Sequence, residues 1–286
     1  MNNNVIRKGL IMEGGAMRGM FTCGVIDVMQ ENGITFDGAV GVSAGATFGI
    51  NIKSHQIGRA IRYNKKYIKD KRYCSLRNLI FTGDLFNRWF CYKTLPFALD
   101  LFDTDTFTSD SMEFYVVATN VCTGGPEYHL CTTGKDSDLE WIRASASIPM
   151  LSNIVEVDGY KLLDGGISDS IPVRFMEDKG YNKNVAILTR PIEYVKKPSF
   201  GLASKLLLKD YPEMIAAMAN RPTMYNGETA YIRERENEGE LFVIRPPKDL
   251  KMPNMTRNVD ELQEMYDCGR KIMSERLEEL KAYLSL

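Results

Sequence analysis

The segment GVSAG, from Gly41 to Gly45, separates a short apolar run from a helix-forming run. Phe36 to Val42 is predicted to be a buried strand, and Ala46 to about His55 a helix. A G-x-S-x-G sequence places its serine on a tight turn between strand and helix, where only small residues two positions to either side avoid a clash with that backbone. Ser43 is therefore a candidate nucleophile, in an elbow whose closure depends on the two glycines.

A similar unit precedes this elbow. The apolar run Gly9 to Met12 is predicted to be a strand, and Met20 to Gln30, with apolar residues at helical spacing, is predicted to be a helix. Two successive strand–helix units imply a parallel sheet with right-handed crossovers. The sequence therefore predicts an α/β fold with three layers, α/β/α, around a mostly parallel central sheet.

The rest of the chain continues this alternation, with no sign of a repeat or a linker. Strands are predicted at Glu113 to Thr119, Glu127 to Cys131, Asn184 to Thr189 and Leu241 to Arg245, and a hairpin at Val155 to Leu163 with its turn at Asp158-Gly159. Helices are predicted at Asp138 to Ala146 and Asp260 to Leu284, and a helical region containing Leu202 to Leu208 and Met214 to Ala219 lies between the last two strands. We expect a single domain over residues 1–286, with a catalytic core at about residues 8–190 and residues 191–286 packed on it.

Composition and charge exclude several classes of protein. The 286 residues carry a formal net charge of -1, so no global field would hold the chain on nucleic acid or on an anionic membrane. The apolar run near the N-terminus is too short for a secretion signal or a bilayer span, which predicts a cytoplasmic protein. The six cysteines show no CxxC pair and no zinc-type spacing, so we expect them to be reduced and to bind no metal.

Three segments are candidates for contact with substrate or membrane. Arg59 to Arg72 is rich in Arg, Lys and Tyr, which is typical of a solvated helix face and also of a surface that transiently attracts anionic lipid. Phe81 to Phe102 is rich in aromatic residues, which favours a helical layer of the core and would also suit a cap over an acyl pocket. Leu202 to Leu208 is a second candidate for the acyl pocket or an interfacial surface.

A carboxylate must serve as the base for the serine. The order serine, acid, histidine is impossible, because both histidines, His55 and His129, precede Asp164 and the C-terminal half of the sheet. His55 would also lie about 18 Å along the helix from the serine. The predicted hairpin delivers Asp164 at a strand end, followed by Gly165 and Gly166, which let another group approach closely.

The loop Glu13-Gly14-Gly15-Ala16-Met17-Arg18-Gly19 also joins a strand to a helix. Such a loop can present successive backbone N–H groups to an anion, as a phosphate loop or an oxyanion hole does. A Walker loop is excluded because the Gly-Lys-Ser/Thr sequence is missing, and neither Gly14 nor Gly15 fits the dinucleotide spacing G-x-G-x-x-G. The oxyanion hole is the interpretation that remains.

These three elements, in this order, resemble the patatin-like phospholipases, which are serine lipid acyl-hydrolases with a Ser-Asp dyad. The segment Ala144-Ser145-Ala146-Ser147-Ile148-Pro149 is also similar to the family's A-S-x-x-x-P segment ahead of the aspartate strand. The resemblance covers about residues 9 to 190, and the remainder is similar, more loosely, to bacterial members only. It implies a patatin-like fold.

The resemblance also implies a role for each motif residue. Ser43 would be acylated and Asp164 would take and return its proton, while the oxyanion hole would comprise Gly14, Gly15 and Ala16, with Arg18 at the family's basic position in that loop. Two residues depart from the family pattern. Ala16 stands where a third glycine is common, and Glu13 places a negative charge near the anion site. The dyad chemistry requires no metal and no cofactor.

The predicted function is hydrolysis of a carboxylic ester, with phospholipid or lysophospholipid as the leading substrate and no nucleic-acid partner. A non-catalytic lipid- or acyl-binding protein on the same scaffold is the alternative from another class. An acyltransferase or a thioesterase would use the same elbow. The intact serine and aspartate favour an enzyme over a binding module, and the sequence predicts no particular oligomeric state.

Overall fold

The computed structural model describes residues 6–198, 206–251 and 253–286. Its strands are β1 (Lys8–Met12), β2 (Gly38–Val42), β3 (Glu113–Asn120), β4 (Pro126–Cys131), β5 (Val155–Val157), β6 (Tyr160–Asp164), β7 (Lys183–Ile187) and β8 (Leu241–Ile244). Its α-helices are α1 (Gly19–Glu31), α2 (Ala44–Lys53), α3 (Arg59–Tyr67), α4 (Leu76–Thr82), α5 (Thr104–Ser109), α6 (Asp136–Ser145), α7 (Val173–Asp178), α8 (Pro212–Asn237), α9 (Val259–Glu275) and α10 (Leu277–Leu284). A π-helical segment, Phe90–Leu99, and two short 3-10 turns, Ala16–Arg18 and Gly165–Ile167, complete these elements.

The strands form one sheet in the order β5-β6-β3-β2-β1-β7-β8, and β4 pairs with β3 as well. Neighbours from β3 through β8 in this order are parallel, whereas β4, β5 and β6 pair antiparallel. The antiparallel strands are joined to a neighbour in the sheet by a short turn, which a parallel connection does not allow. The predicted mostly parallel sheet is therefore correct for its centre, and the hairpins extend it at one side.

Helices cover both faces of the sheet, as predicted. Alternate residues of a strand point to opposite faces, so Leu10 and Met12 of β1 face one side and Ile11 the other. The first two pack in a core with residues of α1, α2, α9 and α10. Ile11 packs in a second core with residues of α7 and α8. The three-layer α/β/α architecture is thus confirmed.

The prediction of one continuous C-terminal helix from Asp260 to Leu284 is wrong. The chain turns at Arg276 between α9 and α10. The Arg276 guanidinium donates to the Val243 carbonyl at 2.5 Å, which ties the turn to the end of β8. The change of direction lets Leu280 and Leu284 pack in the core on the sheet.

The basic segment that begins at Arg59 is only partly the solvated helix face that its composition favours. Arg62 is exposed on α3, but Arg59 is buried. The guanidinium of Arg59 donates to the Asn51 side chain at 3.1 Å and to the Asp100 carbonyl at 2.7 Å, so its charge is compensated inside the protein.

Within the residues that the structure describes, no helix combines the length and the apolarity needed to cross a membrane.

Candidate active site

The turn that carries Ser43 is strained and held in place by its surroundings. Ser43 directly follows β2 and has φ 53° and ψ −113°, which are unusual for a residue with a side chain. A Cβ at Gly41 would lie 2.5 Å from the Gly45 carbonyl oxygen, and one at Gly45 would lie 2.1 Å from the Met12 carbonyl oxygen. Only glycine therefore fits at these two positions. The Ser43 N–H donates to Ser145 Oγ at 2.8 Å, which fixes the elbow from the other side.

The register of the sheet brings Asp164 to this serine. Val42 at the end of β2 pairs with Val117 of β3, and the next residue of β3, Ala118, pairs with Asp164 at the end of β6. Since β4 occupies the opposite edge of β3, β2 and β6 approach each other end to end along one edge. The Ser43 side chain therefore lies beside the Asp164 carboxylate, and both line one pocket.

The surroundings of Asp164 favour its action as a base. Its side chain is buried, and burial raises the pKa of Asp164 above the ordinary aspartate value, against the opposing effects of the Arg221 charge and of the hydrogen bond from Ser43. The Gly166 N–H donates to Asp164 Oδ1 at 2.9 Å. The Asp164 N–H donates to the Ser147 carbonyl at 2.9 Å. The segment from Ala144 to Pro149 therefore anchors both Ser43 and Asp164 through its serines, a function that the sequence pattern did not specify.

The glycine-rich loop after β1 lies against Ser43. A Cβ at Gly14 would lie 3.0 Å from Ser43 Cβ. Within the described part of the chain, the N–H groups of Gly14, Gly15 and Ala16 donate to no acceptor. The same holds for the N–H group of Ala44 at the start of α2, which was not among the predicted site residues. These donors are available to an oxyanion next to the serine.

The remaining residues of the loop have other roles. The Arg18 N–H donates to the Gly15 carbonyl at 3.1 Å, so only the guanidinium of Arg18 is left to face a ligand. Ala16 has φ 49°, in the left-handed region that a glycine occupies without strain. The buried Glu13 carboxylate accepts the Thr189 N–H at 2.5 Å and the Tyr225 hydroxyl at 2.8 Å, so it ties the loop to β7 and α8.

An apolar pocket opens on one side of Ser43. The segment from Phe81 to Phe102 supplies much of its wall, and the residues that line the pocket include Leu85, Phe86, Tyr92, Leu95 and Phe102. Phe81, Trp89 and Phe97 of the same segment are instead exposed, by 78%, 66% and 43%. The segment is therefore not uniformly a core layer, and one side of it forms a pocket suited to an acyl chain.

The second segment predicted for acyl binding, Leu202 to Leu208, lies mostly outside the described residues. Leu206 and Leu207 are exposed. Leu208 is buried and packs in a cluster with Val121 and Leu163.

A polar pocket opens on the other side of Ser43. Its charged lining residues are Glu13, Arg18, Asp164, Arg190, Lys196 and Arg221. Three of these basic residues were not identified by the sequence analysis, namely Arg190, Lys196 and Arg221. They belong to no recognisable motif, so only the fold reveals that they share a pocket.

The two histidines lie elsewhere. His55 Nε2 is 2.7 Å from Asp110 Oδ2, and His129 Nε2 is 2.7 Å from Asp138 Oδ1. Neither imidazole lines the two pockets that meet at Ser43. His129, Asp138 and Cys131 are close enough to share a metal ion. However, Asp138 Oδ2 already accepts N–H groups from three successive residues, 132–134, so this carboxylate serves the turn before α6.

Comparison with known families agrees with this geometry. The profile described as patatin-like phospholipase matches residues 10–176, which include the elbow, the glycine-rich loop and the Asp-Gly-Gly sequence. The chain belongs to the patatin-like phospholipase family. As a member of this family, it is a hydrolase of lipid esters. A second profile, described as a domain of unknown function (DUF6363), matches residues 211–285, which contain α8, α9 and α10.

Curated relatives of this patatin-like phospholipase include bacterial and fungal proteins. The uncharacterized protein YjjU of Escherichia coli is 30% identical over 276 residues, which cover 92% of this chain and 75% of YjjU. Lysophospholipase nte1 of Aspergillus terreus is 28% identical, with 96% of this chain and 18% of that protein covered. Lysophospholipase NTE1 of Candida albicans is 25% identical, with 92% and 19% covered. The chain thus spans less than a fifth of these two fungal relatives.

Two solved structures are similar to this chain at low sequence identity. VipD from Legionella pneumophila has a TM-score of 0.44 and 13% identity, with 94% of this chain and 67% of that chain covered. Human GIVD cytosolic phospholipase A2, in complex with methyl gamma-linolenyl fluorophosphonate, has a TM-score of 0.48 and 9% identity, with 100% and 60% covered.

Proposed function

We propose that this chain hydrolyses a carboxylic ester of a phospholipid or lysophospholipid through an acyl-enzyme on Ser43, with Asp164 as the base. One observation carries the proposal. The Ser43 side chain lies beside the buried Asp164 carboxylate at the point where an apolar and a basic pocket meet. The names of the fungal lysophospholipases support the choice of lipid substrate.

Acylation begins when Ser43 Oγ attacks the ester carbonyl carbon. The hydroxyl proton passes to Asp164, whose raised pKa makes it a stronger base than an exposed aspartate. The carbonyl oxygen becomes an oxyanion that accepts hydrogen bonds from the N–H groups of the Gly14 to Ala16 loop. The bond to the alcohol oxygen then breaks, and Asp164 returns the proton to that oxygen.

Deacylation repeats these steps with water. Asp164 takes a proton from water as the water oxygen attacks the acyl carbon, and the same N–H groups bind the second oxyanion. The bond to Ser43 Oγ breaks and the proton from Asp164 restores the hydroxyl. The products are a fatty acid and the free alcohol, and one water molecule is consumed.

Contact with a lipid surface would deliver the substrate to this site. Helix α4 has no buried residue and exposes Leu76, Ile80 and Phe81 by 72%, 77% and 78%. The residues that follow it, including Leu85 and Phe86, line the apolar pocket. An apolar surface of this kind next to the pocket suits transient insertion among lipid chains.

The test is hydrolysis of p-nitrophenyl butyrate and a lysophospholipid by wild type, Ser43→Ala and Asp164→Asn. We expect Ser43→Ala to fall to background and Asp164→Asn to lose about a thousandfold or more, because general-base catalysis contributes roughly 10²–10⁴. The amide of Asp164→Asn still accepts the Gly166 N–H, so the variant should fold.

Asp105→Asn is the matched control, since the Asp105 side chain is 99% exposed and lines neither pocket. Its rate should equal that of wild type. Retention of the wild-type rate by Ser43→Ala would refute the catalytic proposal. Transfer of the acyl group to an added alcohol in preference to water would instead identify the protein as an acyltransferase.

A further inference from the structure

The polar pocket beside Ser43 holds an unusual excess of positive charge. Arg18, Arg190, Lys196 and Arg221 line it, whereas its acidic lining residues are Glu13 and Asp164 only. Among the described residues, no carboxylate lies within ion-pair distance of any of these four cations. Clustered cations repel one another, so such a group is typical of a site that binds an anion.

Arg190 and Arg221 are positioned without the help of carboxylates. The Arg221 Nε donates to the Gly166 carbonyl at 2.6 Å, which holds the guanidinium beside the Asp-Gly-Gly turn in the lining of the pocket. The Arg190 guanidinium lies 4.2 Å from the centre of the Tyr194 ring. Both contacts orient a cation without placing a carboxylate within ion-pair distance of it.

Lys196 is held by helix α8. Its backbone N–H donates to Asn226 Oδ1 at 2.9 Å, and Asn226 Nδ2 donates to the Lys196 carbonyl at 3.1 Å. The Lys196 ammonium lies 4.3 Å from the centre of the Tyr225 ring, whose hydroxyl is bonded to Glu13. Partial burial and the charge of Arg221 lower the pKa of Lys196 to about 8, so the ammonium is charged at neutral pH.

Arg18 supplies an unsatisfied donor. Its side chain is buried, with 9% exposure, and its Nε has no hydrogen-bond partner. A buried guanidinium N–H without an acceptor is unfavourable, and an anion in the pocket would provide that acceptor. Burial and the neighbouring Arg190 lower the pKa of Arg18 to about 10, which leaves it positive at neutral pH.

We propose that Arg18, Arg190, Lys196 and Arg221 bind the phosphate of the alcohol part of the substrate while the acyl chain occupies the apolar pocket. The inference rests on the proposed esterase function. Four cations against two carboxylates match a phosphate monoester, which carries a charge of about −1.5 to −2 at neutral pH. The site therefore favours a lysophosphatidic acid over the matching monoacylglycerol and over a choline ester, whose own cation the pocket would repel.

Three of the four cations lie outside the part of the chain that carries the family motifs. Arg190, Lys196 and Arg221 lie outside residues 10–176, the part that the patatin-like phospholipase profile matches. Arg221 and the two residues that hold Lys196 lie on α8, within the part matched by the domain of unknown function.

The experiment compares kcat/KM for a lysophosphatidic acid and a monoacylglycerol that share one short acyl chain, so that both are monomeric. Wild type should prefer the phosphate-bearing ester by tenfold or more, and Lys196→Gln should lower that preference about tenfold, since each lost charged contact to phosphate has an effect of this order. Lys196→Arg should restore most of it. Lys197→Gln is the matched control, because Lys197 is exposed and does not line the pocket.

A second measurement is independent of catalysis. Ser43→Ala protein is titrated calorimetrically with glycerol 3-phosphate and, separately, with inorganic phosphate, with and without Lys196→Gln. Tighter binding of glycerol 3-phosphate, lost in Lys196→Gln, supports recognition of a phosphate attached to the leaving alcohol.

Three outcomes would overturn the inference. They are equal kcat/KM for the two esters, a preference that Lys196→Gln leaves intact in folded protein, and binding of inorganic phosphate alone with no preference between esters. If no ester of any kind is hydrolysed but glycerol 3-phosphate still binds through Lys196, the proposed function fails and the anion site stands.

Discussion

The two pockets that meet at Ser43 are assembled from different parts of the chain. The apolar pocket is lined by residues between Ala16 and Ser152, with Met255 as its one contribution from the C-terminal region among the described residues. The basic pocket combines the loop after β1 with Arg190, Lys196 and Arg221. An apolar pocket needs side chains of suitable size, which a contiguous segment supplies, whereas an anion site needs a few charges at fixed positions.

This difference predicts that a substitution in one pocket will leave the other pocket unaffected, whereas a change in the dyad will affect the reaction of every substrate. The largest predicted effect is the dependence of kcat/KM on pH. Only the ionised form of Asp164 accepts the serine proton, so kcat/KM should fall tenfold for each pH unit below its pKa, which burial holds above the ordinary aspartate value. A pH profile with p-nitrophenyl butyrate, which carries no phosphate, measures this limb. An acidic limb at or below the ordinary aspartate pKa would contradict the predicted environment of Asp164.

A change in the apolar pocket should separate long from short acyl chains. Leu95→Ala removes a buried wall residue, and because each buried CH₂ is worth about 0.8 kcal/mol, kcat/KM for a long-chain ester should fall about tenfold or more relative to a butyrate ester. Phe97→Ala, on the same π-helical segment but 43% exposed, is the control. Thermal unfolding checks that Leu95→Ala is folded, and Leu95→Val provides a milder version. Equal loss on both esters would remove the acyl assignment.

The basic pocket should lose its preference for phosphate at high pH. A phosphate monoester is largely a dianion above about pH 6, and Lys196, with a pKa of about 8, becomes neutral above that value. The charged groups that interact with Lys196 are Arg221, Arg18, Arg190, Glu13 and Asp164. The ratio of rates for the phosphate-bearing and phosphate-free esters should therefore fall a few-fold between pH 7 and pH 9 by our estimate. Lys196→Gln should abolish this fall, and its persistence in that variant would assign the titration to another group.

The smallest expected effect concerns how α8, which carries Arg221, is docked. Glu228 of α8 accepts the Ser170 N–H at 3.1 Å, and burial beside Asp169 raises the pKa of Glu228 to about 9. The pKa of Glu228 is thus higher in the folded protein than in the unfolded chain, where it is about 4.3. The contribution of Glu228 to stability is therefore complete at low pH and is lost as pH rises through about 9.

Glu228→Gln keeps the carbonyl acceptor and cannot ionise. At pH 8 the melting temperature of this variant should exceed that of wild type by about a few degrees. At pH 4 it should not exceed that of wild type. Glu234→Gln, at an exposed position of the same helix, is the control and should show no such pH dependence. A difference between Glu228→Gln and wild type that is independent of pH would mean that Glu228 is ionised in the folded protein.

The sequence predicted the parts of the site that local pattern specifies. The elbow at Ser43 requires glycine at two fixed positions, and the strand and helix around it were correctly located. The hairpin turn at Asp158-Gly159 was also correct, since both residues have positive φ. The turn at Arg276 was missed, because α9 and α10 share one amphipathic pattern and the contact that divides them is with a distant strand.

Local pattern thus determined the strand–turn–helix units and the nucleophile elbow, because each depends on residues within one or two turns of chain. The pairing of Ser43 with Asp164 was predicted by excluding the two histidines and by the resemblance to the family. The tertiary structure alone decided that β2 and β6 meet along one edge of β3, and that Arg190, Lys196 and Arg221 converge on the serine. Strand register and the docking of α8 depend on burial across the whole sheet, which no short window of sequence contains.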